Sequence, residues 1–283
     1  MARAGSHTNK PTNDILKGVF IMTNEKILKA LYAAGKQIKD FDICMSIVNR
    51  ENGIPKLPCE PEYDLIIAGL IYDLEKETRE KGIKAAGKSD LLTAAKNILK
   101  SAKSDLSHKP DFQKPFTSGK YQCFCDGFRL LALSGNKKLD IETNDRELIN
   151  AENIIPKENF NCAVLPKLVN LKLEIARFKS EYTTKHNKRI MVRFKDDKNN
   201  IVFCVNAEYL FDAIKATGAK NIYYKSEKST LLVESENVKC AIMPIGYKSK
   251  HETIGTFHYI DVSPAGDTCI VTEIVTAENV ETA

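Results

Sequence analysis

The residues of this chain whose types could support catalysis or metal binding are its cysteines and histidines. Cys123 and Cys125 are separated by one residue, so on a strand both thiols face the same side. Zinc sites generally use a wider Cys-x-x-Cys knuckle plus a second pair of ligands, and no such second pair is present. The histidines are scattered without metal-binding spacing, at His7, His108, His186, His251 and His258. We therefore expect buried thiols, no catalytic or metal site and no cofactor. An enzyme that uses Cys125, Asp126 or His186 is a minor alternative.

Lysines form the second set of residues with a suggestive spacing. Three of them follow each other at intervals of four and three residues, which on a helix places their ammonium groups on one face. Two further predicted helices carry similar lysines opposite an apolar stripe. The full set is Lys96, Lys100, Lys103, Lys172, Lys179, Lys215 and Lys220. Such faces are commonly just solvated, but they also suit contacts to nucleic-acid phosphates that ignore base sequence. The glycine-rich loops that usually hold nucleotide phosphates are absent.

Composition places the chain among ordinary soluble globular proteins. It has 283 residues, 43% of them hydrophobic and 28% charged, with a net charge of +5. This charge only permits contact with a polyanion, so any nucleic-acid surface must come from local clustering of lysine and arginine. Eight irregularly spaced cysteines and the lack of a secretory leader predict reduced thiols in a cytoplasmic protein.

Hydrophobic periodicity supplies the elements that must position these residues. Helices are predicted over 25–34, over 62–81, from an N-cap at Ser89 or Asp90 to residue 105, from about Pro166, and over 206–217. Strands are predicted between 108 and 133, in a hairpin between 189 and 205, and at 221–224, 230–234, 238–244, 256–262 and 269–275. This order predicts an α+β protein with helices on one face of antiparallel sheets. The predicted domains are a flexible leader (1–23), a helical module (24–88), a main domain (89–250) and a C-terminal extension with short strands (251–283).

Two segments of the main domain resemble a known family. Asn206, Tyr209, Leu210, Asp212 and Ala213 form an Asn-x-x-Tyr-Leu-x-Asp-Ala helix, followed by strands that end in Met243-Pro244. Upstream lies the segment Asp126-Gly127-Phe128-Arg129-Leu130. Together they resemble the bacterial DNA sliding clamp, the β subunit of DNA polymerase III, and suggest a divergent relative from a phage or mobile element. The family has histidine where Phe128 stands, which leaves the detailed preference of its groove open.

The resemblance implies a DNA-clamp-like fold and a groove that binds short peptide motifs. The groove residues would be Gly127, Phe128, Arg129, Leu130, Met243, Pro244 and Ile245. An apolar wall, an adaptable methionine and one arginine suit such a task, although Asp126-Gly127 could equally mark only a tight turn. The lysine-bearing helices would then face duplex DNA.

The resulting hypothesis is a non-enzymatic processivity factor that binds double-stranded DNA non-specifically and docks a polymerase or other replication partner. A homo-oligomeric ring would need more than two copies. The alternative is an interaction or inhibitor module that keeps the fold, binds a replication protein and does not encircle DNA.

Overall fold

The computed structural model describes residues 24–35, 41–51, 63–104, 110–144, 146–157, 160–182, 189–246 and 255–275. The predicted leader at 1–23 lies outside these residues. The chain divides into two compact units, a helical unit (Met1–Lys81) and a sheet unit (Gly82–Ala283). The predicted domain limits at residues 23, 88 and 250 stay predictions.

The helical unit contains α1 (Asn24–Gly35), α2 (Phe41–Glu51) and most of α3 (Tyr63–Ala85). Cys44 and Val48, one turn apart on α2, are buried against Ala68 and Tyr72 of α3. The Tyr32 hydroxyl of α1 donates a hydrogen bond to Glu75 of α3. The sequence analysis missed α2, although its buried residues follow the four-residue spacing of an amphipathic helix.

The sheet unit contains four further helices in its described part: α4 (Ser89–Ala102), α5 (Ala151–Ile154), α6 (Leu168–Glu181) and α7 (Ala207–Thr217). Helix α7 packs against both α4 and α6. Helix α4 also contacts the seven-stranded sheet described next, and α6 contacts the four-stranded sheet. The predicted N-cap of α4 is wrong, because Lys88 occupies the cap position and no side chain caps the helix.

Eleven strands form two sheets among the described residues. Their bounds are β1 (Phe116–Ser118), β2 (Tyr121–Cys125), β3 (Arg129–Leu133), β4 (Asn161–Val164), β5 (Met191–Lys195), β6 (Ile201–Asn206), β7 (Asn221–Tyr224), β8 (Leu231–Ser235), β9 (Val238–Ile242), β10 (Gly255–Val262) and β11 (Thr268–Val275). The seven-stranded sheet has the order β1-β2-β3-β9-β8-β7-β4, and the four-stranded sheet has the order β11-β10-β5-β6. All pairings are antiparallel except that of β10 with β5.

The main core lies where α4, α6 and α7 meet the inner faces of both sheets. Phe124, Leu131, Leu171, Phe203 and Leu210 belong to this one cluster, and each is almost completely buried. The seven-stranded sheet has a second cluster on its opposite face, which includes Phe116, Cys123 and Leu130. Because both faces are covered, β2 and β3 are buried at every position.

This architecture confirms the predicted α+β class, with helices packed on mostly antiparallel sheets after a helical module. The strands predicted near the C-terminus are present and pair within the four-stranded sheet. Within the described residues, no helix has the length and apolar character needed to cross a membrane.

Candidate functional site

The turn between β2 and β3 is fixed by its own aspartate. Asp126 Oδ1 accepts hydrogen bonds from the backbone N–H groups of Phe128 and Arg129, both at 3.0 Å. Gly127 has a φ of +88°, a left-handed backbone conformation that residues with a Cβ atom rarely adopt. This geometry directs Phe128 outward and starts β3 at Arg129.

Arg129 links this turn to helix α7 through a buried ion-pair network. Its Nε lies 3.0 Å from Asp126 Oδ2, and its Nη1 lies 2.7 Å from Asp212 Oδ2. Asp212 Oδ1 accepts a further hydrogen bond of 2.9 Å from Asn97 of α4. The guanidinium carbon lies 4.2 Å from the centre of the Tyr209 ring. The two sequence segments that resemble the clamp family are therefore joined to each other directly.

Capping at both ends positions helix α7. Asn206 Oδ1 accepts the N–H groups of Glu208 at 2.9 Å and Tyr209 at 3.2 Å, the usual role of an asparagine N-cap. Gly218 closes the helix in a left-handed conformation with φ +64°. Burial, together with the Asp126 carboxylate, raises the pKa of the Tyr209 hydroxyl above its usual value.

Phe128 and Met243 meet on the surface beside this network. Strand β3 pairs with β9, and the Met243 N–H donates a 2.8 Å hydrogen bond to the Phe128 carbonyl. Phe128 is 46% exposed and Met243 is 50% exposed. Pro244 follows and is partly buried. Together with Gly127, these residues make a small apolar surface, called here the Phe128–Met243 surface.

The other predicted groove residues lie elsewhere. Leu130 is 2% exposed and belongs to the cluster on the opposite face of the sheet, because successive strand residues point to opposite sides. Arg129 is 8% exposed, and two carboxylates already bind its guanidinium. Ile245 donates its N–H to the Cys204 carbonyl at 2.9 Å and packs against the outer cluster of the four-stranded sheet. These positions exclude Leu130 from the groove and limit what Arg129 can offer a peptide.

A cleft of about 700 Å³ opens next to this surface. Helices α4, α6 and α7 and the β2–β3 turn supply its walls. The cationic side chains along it are Lys100, Arg129, Lys172, Lys179 and Arg189. Three carboxylates also line it, those of Asp126, Glu208 and Asp212. The rings of Phe128, Tyr209 and Phe211 also line the cleft.

The seven predicted DNA-binding lysines do not all lie on this cleft. Lys100, Lys172 and Lys179 line it, and Lys179 forms an ion pair of 2.6 Å with Glu208. Lys96 and Lys103 are exposed on α4 away from its lining. Lys215 pairs with Asp90 at 3.2 Å, and Lys220 is exposed beyond the end of α7.

The cysteines of the seven-stranded sheet are not set up as nucleophiles. Cys123 and Cys125 share one face and one apolar cluster. Burial raises the pKa of the Cys123 and Cys240 thiols from 9.0 to about 12, so both stay protonated near neutral pH. Across the described ranges, no group of three or more histidine, cysteine, aspartate or glutamate side chains is arranged to hold a metal ion.

Comparison with known proteins gives matches among solved structures alone. No family model and no curated protein matches the chain. The solved structures that match include several bacterial sliding clamps. The Helicobacter pylori beta clamp bound to a DNA ligase peptide has a TM-score of 0.39 and 14% identity, over 55% of this chain and 63% of the clamp. A putative DNA polymerase III beta subunit from Eubacterium rectale has a TM-score of 0.37 and 12% identity, over 55% of this chain and 64% of that one.

A third match is the DNA polymerase sliding clamp from Pseudomonas aeruginosa with ligand, at a TM-score of 0.35 and 11% identity. It covers 47% of this chain and 57% of that clamp. This chain thus spans about three fifths of the length of such clamps. At these scores the likeness is partial, so the functional conclusions below depend on this chain's own residues.

Three residues of the cleft were missed by the sequence analysis. Asn97 lies within the lysine stripe of α4, yet its role depends on Asp212, 115 residues away. Phe211 stands at an unspecified position of the Asn-x-x-Tyr-Leu-x-Asp-Ala motif on α7. Arg189 ends a basic run from Lys185 to Arg189 in the sequence, and this run was the available signal.

Proposed function

We propose that this chain is a sliding-clamp-like processivity factor of the cytoplasm. It binds duplex DNA without reading its sequence and docks a polymerase or another replication partner through an apolar peptide-binding surface. A phage or mobile element is the proposed source, and a ring of several copies is the proposed assembly. The chemistry is binding, with no catalytic step.

The observation that carries this proposal is the position of the two clamp-like segments. They lie side by side, joined by the Arg129–Asp212 ion pair and by the hydrogen bond between Met243 and Phe128. A phenylalanine and a methionine that are half exposed at such a junction suit a linear motif, because methionine repacks easily around different guests.

The lysines on α4 and α6 support the DNA-binding part. Lys100 on α4, Lys103 directly after α4 and Lys172 on α6 are exposed. Exposed lysines bind phosphates as point charges without base contacts. Binding of this kind releases counterions, so its strength falls steeply with salt.

Fluorescence anisotropy with a labelled duplex tests the DNA-binding part. We expect binding at low salt that is indifferent to base sequence. Each of Lys100→Ala and Lys172→Ala should reduce the slope of log K against log salt by about one. Lys137→Ala, at an exposed turn outside the lysine set, should leave the slope unchanged. No binding of any duplex at low salt would overturn this part.

A peptide titration tests the docking part. The DNA ligase peptide seen on the Helicobacter pylori clamp serves as the probe. We expect Phe128→Ala and Met243→Ala each to weaken its binding about tenfold, as for anchor residues of an interface. Val169→Ala, at an exposed position on α6, is the matched control. Equal losses in all three variants would show that the Phe128–Met243 surface is not the docking site.

The inhibitor or interaction module is the second candidate. Carboxylates pair with two of the seven lysines, and three of the seven line the cleft. Fewer lysines are therefore available for contacts to duplex phosphates than encirclement of DNA favours. Mass in solution, measured by light scattering with and without circular DNA, separates the two functions. A monomer that ignores the DNA and binds a replication protein supports the module, whereas a larger assembly on the circle supports the processivity factor.

A further inference from the structure

We propose that the cleft between α4, α6 and α7 binds a single nucleotide unit, with its base against Phe128 and its phosphate among Lys100, Lys172 and Arg189. Such a ligand is either a free nucleotide or the terminal nucleotide of a single strand. This inference goes beyond the proposed function, because holding a duplex or a peptide does not require a small-ligand site.

The charge pattern of the cleft is the first argument. The carboxylates of Asp126 and Asp212 are bound by Arg129, and that of Glu208 is bound by Lys179. Among the residues that the structure describes, none pairs a carboxylate with Lys100, Lys172 or Arg189. Arg129 offsets only one of its two carboxylates, so the lining has five cationic and three anionic side chains, and the three unpaired cations leave it with an excess of positive charge. Such a cluster attracts an anion and suits the several oxygens of a phosphate group.

The apolar lining is the second argument. Phe128 presents a ring that is 46% exposed at the cleft, and Ile175 and Phe211 line the same space. A flat, exposed ring stacks with any nucleobase because every base has a π-face. Phosphates of a duplex would make no contact that requires these apolar side chains.

The size of the cleft is the third argument. Its volume of about 700 Å³ lies within the roughly 300–1,000 Å³ that small-molecule sites have. An open basic helix face binds many phosphates weakly, whereas a cleft with charges and an aromatic wall selects one compact ligand. A phosphate joined to a flat ring matches both kinds of lining.

Isothermal titration of the full-length chain with AMP, dTMP, adenosine and inorganic phosphate tests the proposal. We expect saturable binding of the two nucleotides and much weaker binding of adenosine and phosphate, because each supplies half of the recognition. Lys100→Ala, Lys172→Ala, Arg189→Ala and Phe128→Ala should each weaken nucleotide binding about tenfold. Lys137→Ala, at an exposed position outside both the lining and the lysine set, is the control and should bind as the parent chain does.

A short single-stranded oligonucleotide identifies the source of the ligand. If a 5′-phosphorylated tetranucleotide displaces AMP, the cleft holds a strand end, and if it does not, the cleft holds free nucleotide. Either result supports the site. No saturable nucleotide binding at millimolar concentration would overturn it. An equal loss in Lys137→Ala would also overturn it, and so would a glutamate-rich peptide that binds the cleft and is not displaced by nucleotides.

The same variants separate this proposal from duplex binding. Phe128→Ala should weaken the nucleotide and leave the salt slope for duplex unchanged, since stacking does not contribute to counterion release. The side-chain amide signals of Asn206, which lines the cleft, should shift in NMR spectra when AMP is added. Shifts confined to the outer face of α4 would instead count against the cleft.

Discussion

Arg129 shows how one side chain can join two parts of the sheet unit. Its guanidinium bridges the β2–β3 turn and α7, and it stacks on Tyr209 at the same time. Taking charges out of water is costly, so a buried arginine persists only when carboxylates and hydrogen bonds compensate it. The same pairing leaves Asp126 and Asp212 without spare capacity for a ligand.

We predict that Asp212→Ala lowers the free energy of unfolding by about 3 kcal/mol or more, because it leaves part of a buried guanidinium uncompensated. Urea denaturation measures this change. Glu181→Ala, which breaks the exposed pair with Arg177, is the control and should leave the free energy of unfolding close to that of the parent chain. Similar losses in both variants would mean that the buried network contributes no more than a surface pair.

The buried thiols give stability a dependence on alkaline pH. The pKa of Cys240 rises from 9.0 to about 12 through burial, so the folded state holds its proton longer than the unfolded state does. Its contribution is fully present below pH 9 and is lost as the pH rises from 9 to 12. The expected slope is about 1.4 kcal/mol per pH unit for this one thiol.

We therefore predict that stability falls less steeply above pH 9 in Cys240→Ala than in the parent chain. Chemical denaturation at pH 8, 9, 10 and 11 provides the measurement. Cys162→Ala, at an exposed position, is the matched control and should keep the parent slope. Parallel curves for all three chains would contradict the assignment.

The residues of the site were only partly predictable from sequence. The sequence contained Arg129 and Asp212 in recognisable segments, but their ion pair spans 83 residues, and no local pattern encodes such a distance. The position of Leu130 follows from strand alternation once Arg129 is known to face α7, because the two neighbours then lie on opposite faces of the sheet. The groove was predicted as a run of consecutive residues, which a strand cannot present on one face.

At the scale of elements, capping separates the predictions that succeeded from those that failed. The sequence predicted a helix over 206–217, and Asn206 and Gly218 fix the ends of this helix, α7, by short-range geometry. Helix α4 begins without a side-chain cap, so Ser89 gave a plausible but wrong signal. Helix α2 is short, and its apolar face is covered by α3, so most of its stability comes from packing and not from local propensity.

We predict that Asn206→Ala destabilises the chain by about 1 kcal/mol, because two N–H groups of α7 lose their acceptor. Ser89→Ala is the matched comparison and should change stability by less than about 0.5 kcal/mol. Thermal melts followed by circular dichroism measure both. A larger effect at Ser89 than at Asn206 would reverse our assignment of the caps.

At the scale of the whole molecule, the C-terminal strands belong to the body of the sheet unit. Strand β10 lies between β5 and β11, with Tyr259, Ile260 and Val262 fully buried. Arg193 of β5 forms a buried pair with Asp261 of β10, at 2.6 Å. The resemblance covered the chain only as far as Ile245, so the sequence predicted the strands of the extension but not the partners they would pair with.

We predict that a chain ending at residue 250 loses cooperative unfolding, because removing β10 and β11 uncovers one edge of β5 and part of the core. A chain ending at Val275 keeps both strands and should retain the parent transition. Calorimetry and limited proteolysis provide the measurements. A sharp transition in the shorter chain would show that the four-stranded sheet is dispensable.

The parallel pairing of β5 with β10 has a consequence for the order of events during synthesis. Arg193 and Asp261 are 68 residues apart in the chain, and the later strand takes an interior position in the sheet. The hairpin of β5 and β6 therefore leaves the ribosome with the β10-binding edge of β5 unoccupied, and the backbone groups along that edge are satisfied only after β10 has been synthesised. Nascent chains should depend on chaperone protection until β10 has left the ribosome, since an open strand edge is a template for aggregation.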